Sequence, residues 1–108
     1  MGTAVASATG MPFQIELTQS ALDDLDRFKK RERNIILDGI EDQLTREPLR
    51  KTRNRKKLRE NPLSHWELRI GPYRVFYDVS EIEQQVKLIA IGHKVHNKLF
   101  IGGEEFEL

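Results

Sequence analysis

The chain has 108 residues, 18 of them Lys or Arg and 17 Asp or Glu, for a formal charge of +1. That length supports one domain, and the balanced total means that any ligand preference must come from how the charge is distributed. Cysteine is absent, which excludes disulfides and thiolate chemistry, and no apolar run approaches the roughly 20 residues that a membrane helix needs.

Met1 to Gly10 is small and uncharged. It lacks the basic start and apolar middle of a signal peptide, so 1–10 is expected to be a disordered leader and 11–108 a single domain, cytoplasmic and free of membrane. Phe13, Ile15 and Leu17 alternate with Gln14 and Glu16, which predicts a short strand. Thr18 is a good N-cap, followed by an apolar stripe of Leu22, Leu25 and Phe28. The basic cluster Lys29 to Arg33 reads as a join between helices or a solvated bend. A second helix is expected from about Arg33 to Arg46, with Ile36, Ile40 and Leu44 at four-residue steps and Leu37 beside them. Pro48 ends it. Both stripes are narrow, so the two helices, an antiparallel pair, must lie on a sheet.

A basic segment follows, expected to be a loop, either simply solvated or a footprint for a phosphate backbone. Arg50, Lys51, Arg53, Arg55, Lys56, Lys57 and Arg59 come before the next acid, Glu60. Clustered cations release counterions when they bind a phosphate backbone. With no aromatic residues between them, backbone contact is expected rather than base reading.

His65 to Val79 reads as a β-hairpin. Trp66, Leu68 and Ile70 alternate with His65, Glu67 and Arg69, and Tyr73, Val75, Tyr77 and Val79 alternate with Arg74, Phe76 and Asp78. A two-residue loop at Gly71-Pro72 sets Ile70 opposite Tyr73, Leu68 opposite Val75 and Trp66 opposite Tyr77. That face belongs on the helices. The other face sets Arg69 opposite Arg74, Glu67 opposite Phe76 and His65 opposite Asp78. Two facing arginines repel unless an anion lies near them, so this face is a candidate anion site, or else a solvated outer surface. Val86 to Ile91 is a nearly continuous apolar run, expected to be a buried central strand that ends at Gly92. His93, Lys94, His96 and Lys98 then form a cationic cluster, and Glu104, Glu105 and Glu107 an acidic tail. The order predicts an α+β fold: an N-terminal strand and a two-helix hairpin packed on a curved, mostly antiparallel four-stranded sheet.

No metal-ligand spacing, phosphate-cradling glycine loop or Ser-His-Asp order is present, and no cofactor is expected. Metal-free RNA cleavage needs only a base for the ribose 2′-OH, an acid for the leaving oxygen and cations at phosphorus. Arg69 or Arg74 suits the last role. His93, His96, His65 and Glu67 are the available proton carriers.

The runs KLRENPL (57–63), WELRIGPYRVFYDV (66–79) and AIGHK (90–94) resemble those of the RelE/ParE superfamily of bacterial toxins over about Met11 to Phe100. The resemblance implies two helices on a curved antiparallel sheet. For RelE-type members it implies a ribosome-dependent endoribonuclease that cuts mRNA in the decoding site. It also implies a cognate antitoxin as partner, with operator DNA bound through the antitoxin complex. By the resemblance Arg74 is the phosphate stabiliser and Lys94, beside His93, the basic residue past the strand glycine. The family's strand lysines fall on His65 and Glu67, and its C-terminal tyrosine on Phe100, which carries no proton. Superfamily members that use histidine make His93 or His96 the substitute. The expected catalytic set is therefore Arg74, His93, Lys94 and His96, with RNA held by the basic segment, His65 and Arg69. The alternatives are a ParE-like gyrase inhibitor, or an inactive homologue that binds only antitoxin and operator DNA.

Overall fold

The computed structural model describes residues 12–108; the expected leader lies outside them. In chain order the elements are β1 (Gln14–Leu17), α1 (Gln19–Asp26), α2 (Lys30–Leu44), β2 (Arg55–Lys57), β3 (Trp66–Ile70), β4 (Tyr73–Ser80), β5 (Gln85–Val95), β6 (Lys98–Ile101) and β7 (Glu104–Phe106). Two helices on a mostly antiparallel sheet make an α+β fold, as expected. The sheet is larger than the four strands foreseen. Its hydrogen-bonded order is β2-β3-β4-β5-β6-β7, with β1 running parallel to β5.

The central hairpin has the register that alternation gives. Trp66 pairs with Tyr77, Leu68 with Val75, Arg69 with Arg74 and Ile70 with Tyr73. Gly71 takes a φ of 57°, which a side chain would resist. The apolar face of β3 and β4 lies under the helices, where Trp66, Leu68, Val75 and Tyr77 join Leu25, Ile36 and Ile40 in one buried cluster edged by Phe28. Leu22 and Leu37, expected on the stripes, are exposed. The second helix also begins earlier than its stripe suggested. The Glu32 carboxylate accepts the Lys29 N–H at 3.0 Å, so the basic cluster forms the first turn of α2 instead of a join.

Long strand β5 carries two neighbours on its far edge. Residues 85–88 pair with β1, and residues 92–95 pair with β6. The gap between them would leave backbone groups unpaired, at a cost comparable to a lost hydrogen bond. The start of α1 fills it. Thr18 caps that helix by accepting the Ala21 N–H at 3.1 Å, and its hydroxyl donates to the Leu88 carbonyl at 2.9 Å. Six residues on, Asp24 Oδ2 accepts the Ile91 N–H at 3.0 Å.

Three expectations are corrected here. The basic segment is not all loop, because residues 55–57 form β2 and pair with β3. The central strand does not end at Gly92; it continues to Val95 and turns back through His96 and Asn97, whose φ values of 52° and 67° make a two-residue hairpin loop. The outer face of the central hairpin is not a uniformly solvated surface. Phe76 is fully buried there, in a second cluster with Ala90 and Leu99, walled by Leu58, Leu63, Ile101 and Phe106. Segment 58–63 and the β6–β7 hairpin supply that cover.

Candidate functional site

The outer face gathers charge around one carboxylate. Glu67 projects from the middle of β3 between Phe76 on β4 and Lys56 on β2, its cross-strand partners. Its Oε1 lies 3.5 Å from Arg69 Nε, and its Oε2 lies 4.0 Å from Arg74 Nε. The two arginines face each other across the strands as expected, and Glu67 is the anion that relieves their repulsion. Arg74 is the more enclosed, with its side chain 13% exposed against 42% for Arg69. One of its terminal nitrogens donates to the Gly71 and Tyr73 carbonyls at 2.8 and 2.9 Å. Its Nε is buried without a hydrogen-bond partner. Burial lowers the Arg74 pKa, offset in part by Glu67 and reinforced by Arg69. The guanidinium still keeps its proton, because arginine titrates far above neutrality.

Opposite Arg74 on β5 is Gly92. A β-carbon there would overlap the Phe100 carbonyl and press on Ile101. Gly92 thus lets β6 close against the sheet beside the arginine. Two residues on, Lys94 returns to the outer face, and with Lys56, Glu67 and Arg69 it lines an open hollow of about 570 Å³.

The histidines are elsewhere. His93 pairs with Tyr73 and Phe100 and turns to the helix side, where it meets Phe28 edge-on at a centroid distance of 5.7 Å. The sheet therefore separates it from Arg74. His96 is exposed in the β5–β6 turn. His65 is on the outer face, but its Nδ1 pairs with Asp78 at 2.9 Å, four residues and about 13 Å along β4 from Arg74. Of the expected catalytic set, the structure brings Arg74 and Lys94 to one face and leaves His93 and His96 away from it. Glu67, foreseen only as a possible proton carrier, is the acid–base group that stands beside Arg74.

The basic segment also divides. Lys51, Arg53, Lys56, Lys57 and Arg59 are exposed. Arg50 is exposed but paired with Glu47 at 3.1 Å. Arg55 departs from the expectation: it is 8% exposed and donates to the Gln43 carbonyl of α2, tying β2 under the helix. The cause is strand parity, since Arg55 pairs with inward-facing Leu68 while Lys56 pairs with outward-facing Glu67.

On the helix side, sequence reasoning missed a second group. The Tyr73 hydroxyl donates to Glu32 at 3.2 Å. The Lys29 N–H first, and then the Tyr73 hydroxyl, hold the Glu32 carboxyl below its ordinary range. Burial, and then Glu32, raises the Tyr73 phenol. Asp24 is raised by burial, against the lowering effect of the Ile91 N–H. No spacing in the sequence joins Asp24, Glu32 and Tyr73. The Gly102-Gly103 pair was a legible sign of the β6–β7 hairpin that closes this side. Among the described residues no cluster of three or more metal-ligating side chains occurs, and no helix is long and apolar enough to cross a membrane.

Two helices on one side of an open, mostly antiparallel sheet, with Arg69, Arg74 and Lys94 on the other, match the fold of RelE/ParE-type toxins. The sequence model described as "ParE toxin of type II toxin-antitoxin system, parDE" matches residues 15–97, and the chain belongs to that family. Among solved structures it is similar to a chain of the toxin–antitoxin complex RelBE2 from Mycobacterium tuberculosis. That similarity has a TM-score of 0.69 and 26% identity over 78% of this chain and 93% of that one. No curated protein sequence matches it significantly.

Proposed function

We propose that this toxin is a ribosome-dependent mRNA endoribonuclease whose working surface is the outer face of the sheet. The observation that carries the reading is the placement of Arg69 and Arg74 about the buried carboxylate of Glu67, with Lys94 lining the same hollow as Glu67 and Arg69. In this reading Glu67 takes the proton of the ribose 2′-OH. The 2′-oxygen attacks phosphorus, the bond to the 5′-oxygen breaks, and Lys94 protonates that oxygen, leaving a 2′,3′-cyclic phosphate. Arg74 and Arg69 stabilise the extra charge on the phosphoryl oxygens. Arg74 suits this task because its backbone hydrogen bonds fix it before substrate arrives. Lys51, Arg53, Lys56, Lys57 and Arg59 hold the surrounding RNA backbone, with His65 at the far end of the same face.

The partner in the cell is a cognate antitoxin, in keeping with the similar structure having been solved as a toxin–antitoxin complex. An acidic antitoxin segment fits the cationic face, the pair binds operator DNA, and the toxin works in the cytoplasm. A second reading, inhibition of DNA gyrase, is favoured by one observation. Among the described residues no histidine or tyrosine side chain lies with Arg74, and Phe100 stands where the superfamily has a tyrosine. Purified ribosomes carrying a defined mRNA distinguish the two. Cuts in the decoding-site codon are the expected result. Intact mRNA together with blocked gyrase supercoiling would transfer the assignment to the second reading.

A further inference from the structure

On the helix side of the sheet lies a second hollow, of about 410 Å³, that the proposed cleavage does not use. Its walls are aromatic. Phe28 and Tyr73 meet edge-on at 5.6 Å, and the His93 ring lies between Phe28 and Phe100 at 5.7 and 5.9 Å. Its polar lining is mixed: Asp24 and Glu32 on one side of the charge balance, Arg27 and Lys94 on the other. Such a lining rewards neither a bare anion nor a bare cation. Asp24 commits Oδ2 to the Ile91 N–H. Its Oδ1 lies on the Gly102 side and takes no hydrogen bond from the described residues. Flat aromatic walls with a free carboxylate oxygen and nearby cations suit a flat heterocycle that carries both donors and acceptors.

Lys94 lines this hollow and the outer one as well. Lys94 is thus a cation common to both hollows. We propose that the helix-side pocket receives the unstacked base of a ribonucleotide whose phosphate is held by Lys94. Guanine fits best. One of its neighbouring N–H and NH2 groups donates to Asp24 Oδ1, and its O6 and N7 accept from Arg27. The proposal deepens the nuclease reading and rests on it only for the position of the phosphate.

The test is an NMR titration of the whole toxin with 5′-GMP, using ribose 5-phosphate as the probe that lacks a base. GMP is expected to shift the His93 ring and the Phe28, Gly102 and Gly103 amides, whereas ribose 5-phosphate shifts only Lys94 and Arg69. Asp24→Asn keeps an oxygen for the Ile91 N–H but presents an amide to the base. It should weaken GMP by about tenfold and leave ribose 5-phosphate unchanged. Arg27→Gln, at an exposed position, should weaken GMP in the same way and serves if the Asp24 variant does not fold. Identical shifts from both probes, or GMP shifts confined to the outer face, overturn the pocket. If they do so while Arg74→Ala still abolishes mRNA cleavage, only the pocket fails. If GMP occupies the pocket and Arg74→Ala cleaves normally, only the nuclease reading fails.

Discussion

The two faces of the sheet are built from alternate residues of the same strands, and they solve different problems. On the helix face, Trp66, Leu68, Val75 and Tyr77 are buried beneath α1 and α2. The Tyr77 hydroxyl there donates to the Pro48 carbonyl at 2.7 Å. On the outer face a smaller core around Phe76 occupies the centre, and charge occupies the border. The ion pairs around Glu67 are long, at 3.5 and 4.0 Å, and they leave Arg74 Nε without a hydrogen bond. A buried polar atom left in this state costs stability. The helix face spends its polar groups closing the fold, through Thr18, Asp24 and Tyr77. Each face nevertheless leaves one buried guanidinium Nε without a partner, Arg55 on the helix side and Arg74 on the outer side, and under the nuclease reading only that of Arg74 meets an anionic ligand.

That contrast can be broken at the centre of either face. Trp66→Ala and Phe76→Ala should each cost roughly 3–5 kcal/mol in denaturant unfolding. If the outer face were merely solvated, Phe76→Ala would cost little while Trp66→Ala stayed expensive. Glu67→Gln removes the carboxylate and keeps its shape. Under the nuclease reading it should slow mRNA cleavage by about 100-fold or more, while its unfolding curve moves far less than that of Phe76→Ala. A stability loss with normal cleavage would make Glu67 a purely structural charge.

A smaller effect sharpens the electrostatic half of the comparison. Replacing Lys56 by Gln should reduce the log–log salt slope of RNA binding by about 0.7. Replacing Arg55 should leave that slope alone and loosen the fold, because Arg55 anchors β2 to α2. The smallest expected effect is a pH dependence on the helix face. Burial raises the Asp24 carboxyl above its ordinary 3.8. The stability it contributes is full below that value and declines as pH rises through the raised pKa. Asp24→Asn should therefore show a flatter stability profile across the mildly acidic range, and an unchanged profile would mean that Asp24 is not the source.

Much of this was legible in the sequence. The hairpin register followed from alternation and Gly71-Pro72 alone, the Thr18 cap from its residue type, and the core from the helix stripes except at Leu22 and Leu37. The site was only half legible, because one boundary was misplaced. With the strand ended at Gly92, His93 and Lys94 read as one cluster. Carried on to Val95, strand parity sends Lys94 to the outer face with Arg74 and His93 to the helices. The same parity hides Arg55 within a basic run that reads uniformly. Asp24 was not legible as a site residue at all, since its partner is a backbone N–H exposed only by the gap between β1 and β6.

The most direct test of the outer face as the working surface is single-turnover cleavage of ribosome-bound mRNA at saturating toxin, with Arg74→Ala and His93→Ala measured side by side. The account predicts a loss of about 100- to 1000-fold for Arg74→Ala and a rate close to wild type for His93→Ala, which lies across the sheet. A collapse of the His93→Ala rate with Arg74→Ala near normal would contradict it and place the chemistry on the helix face.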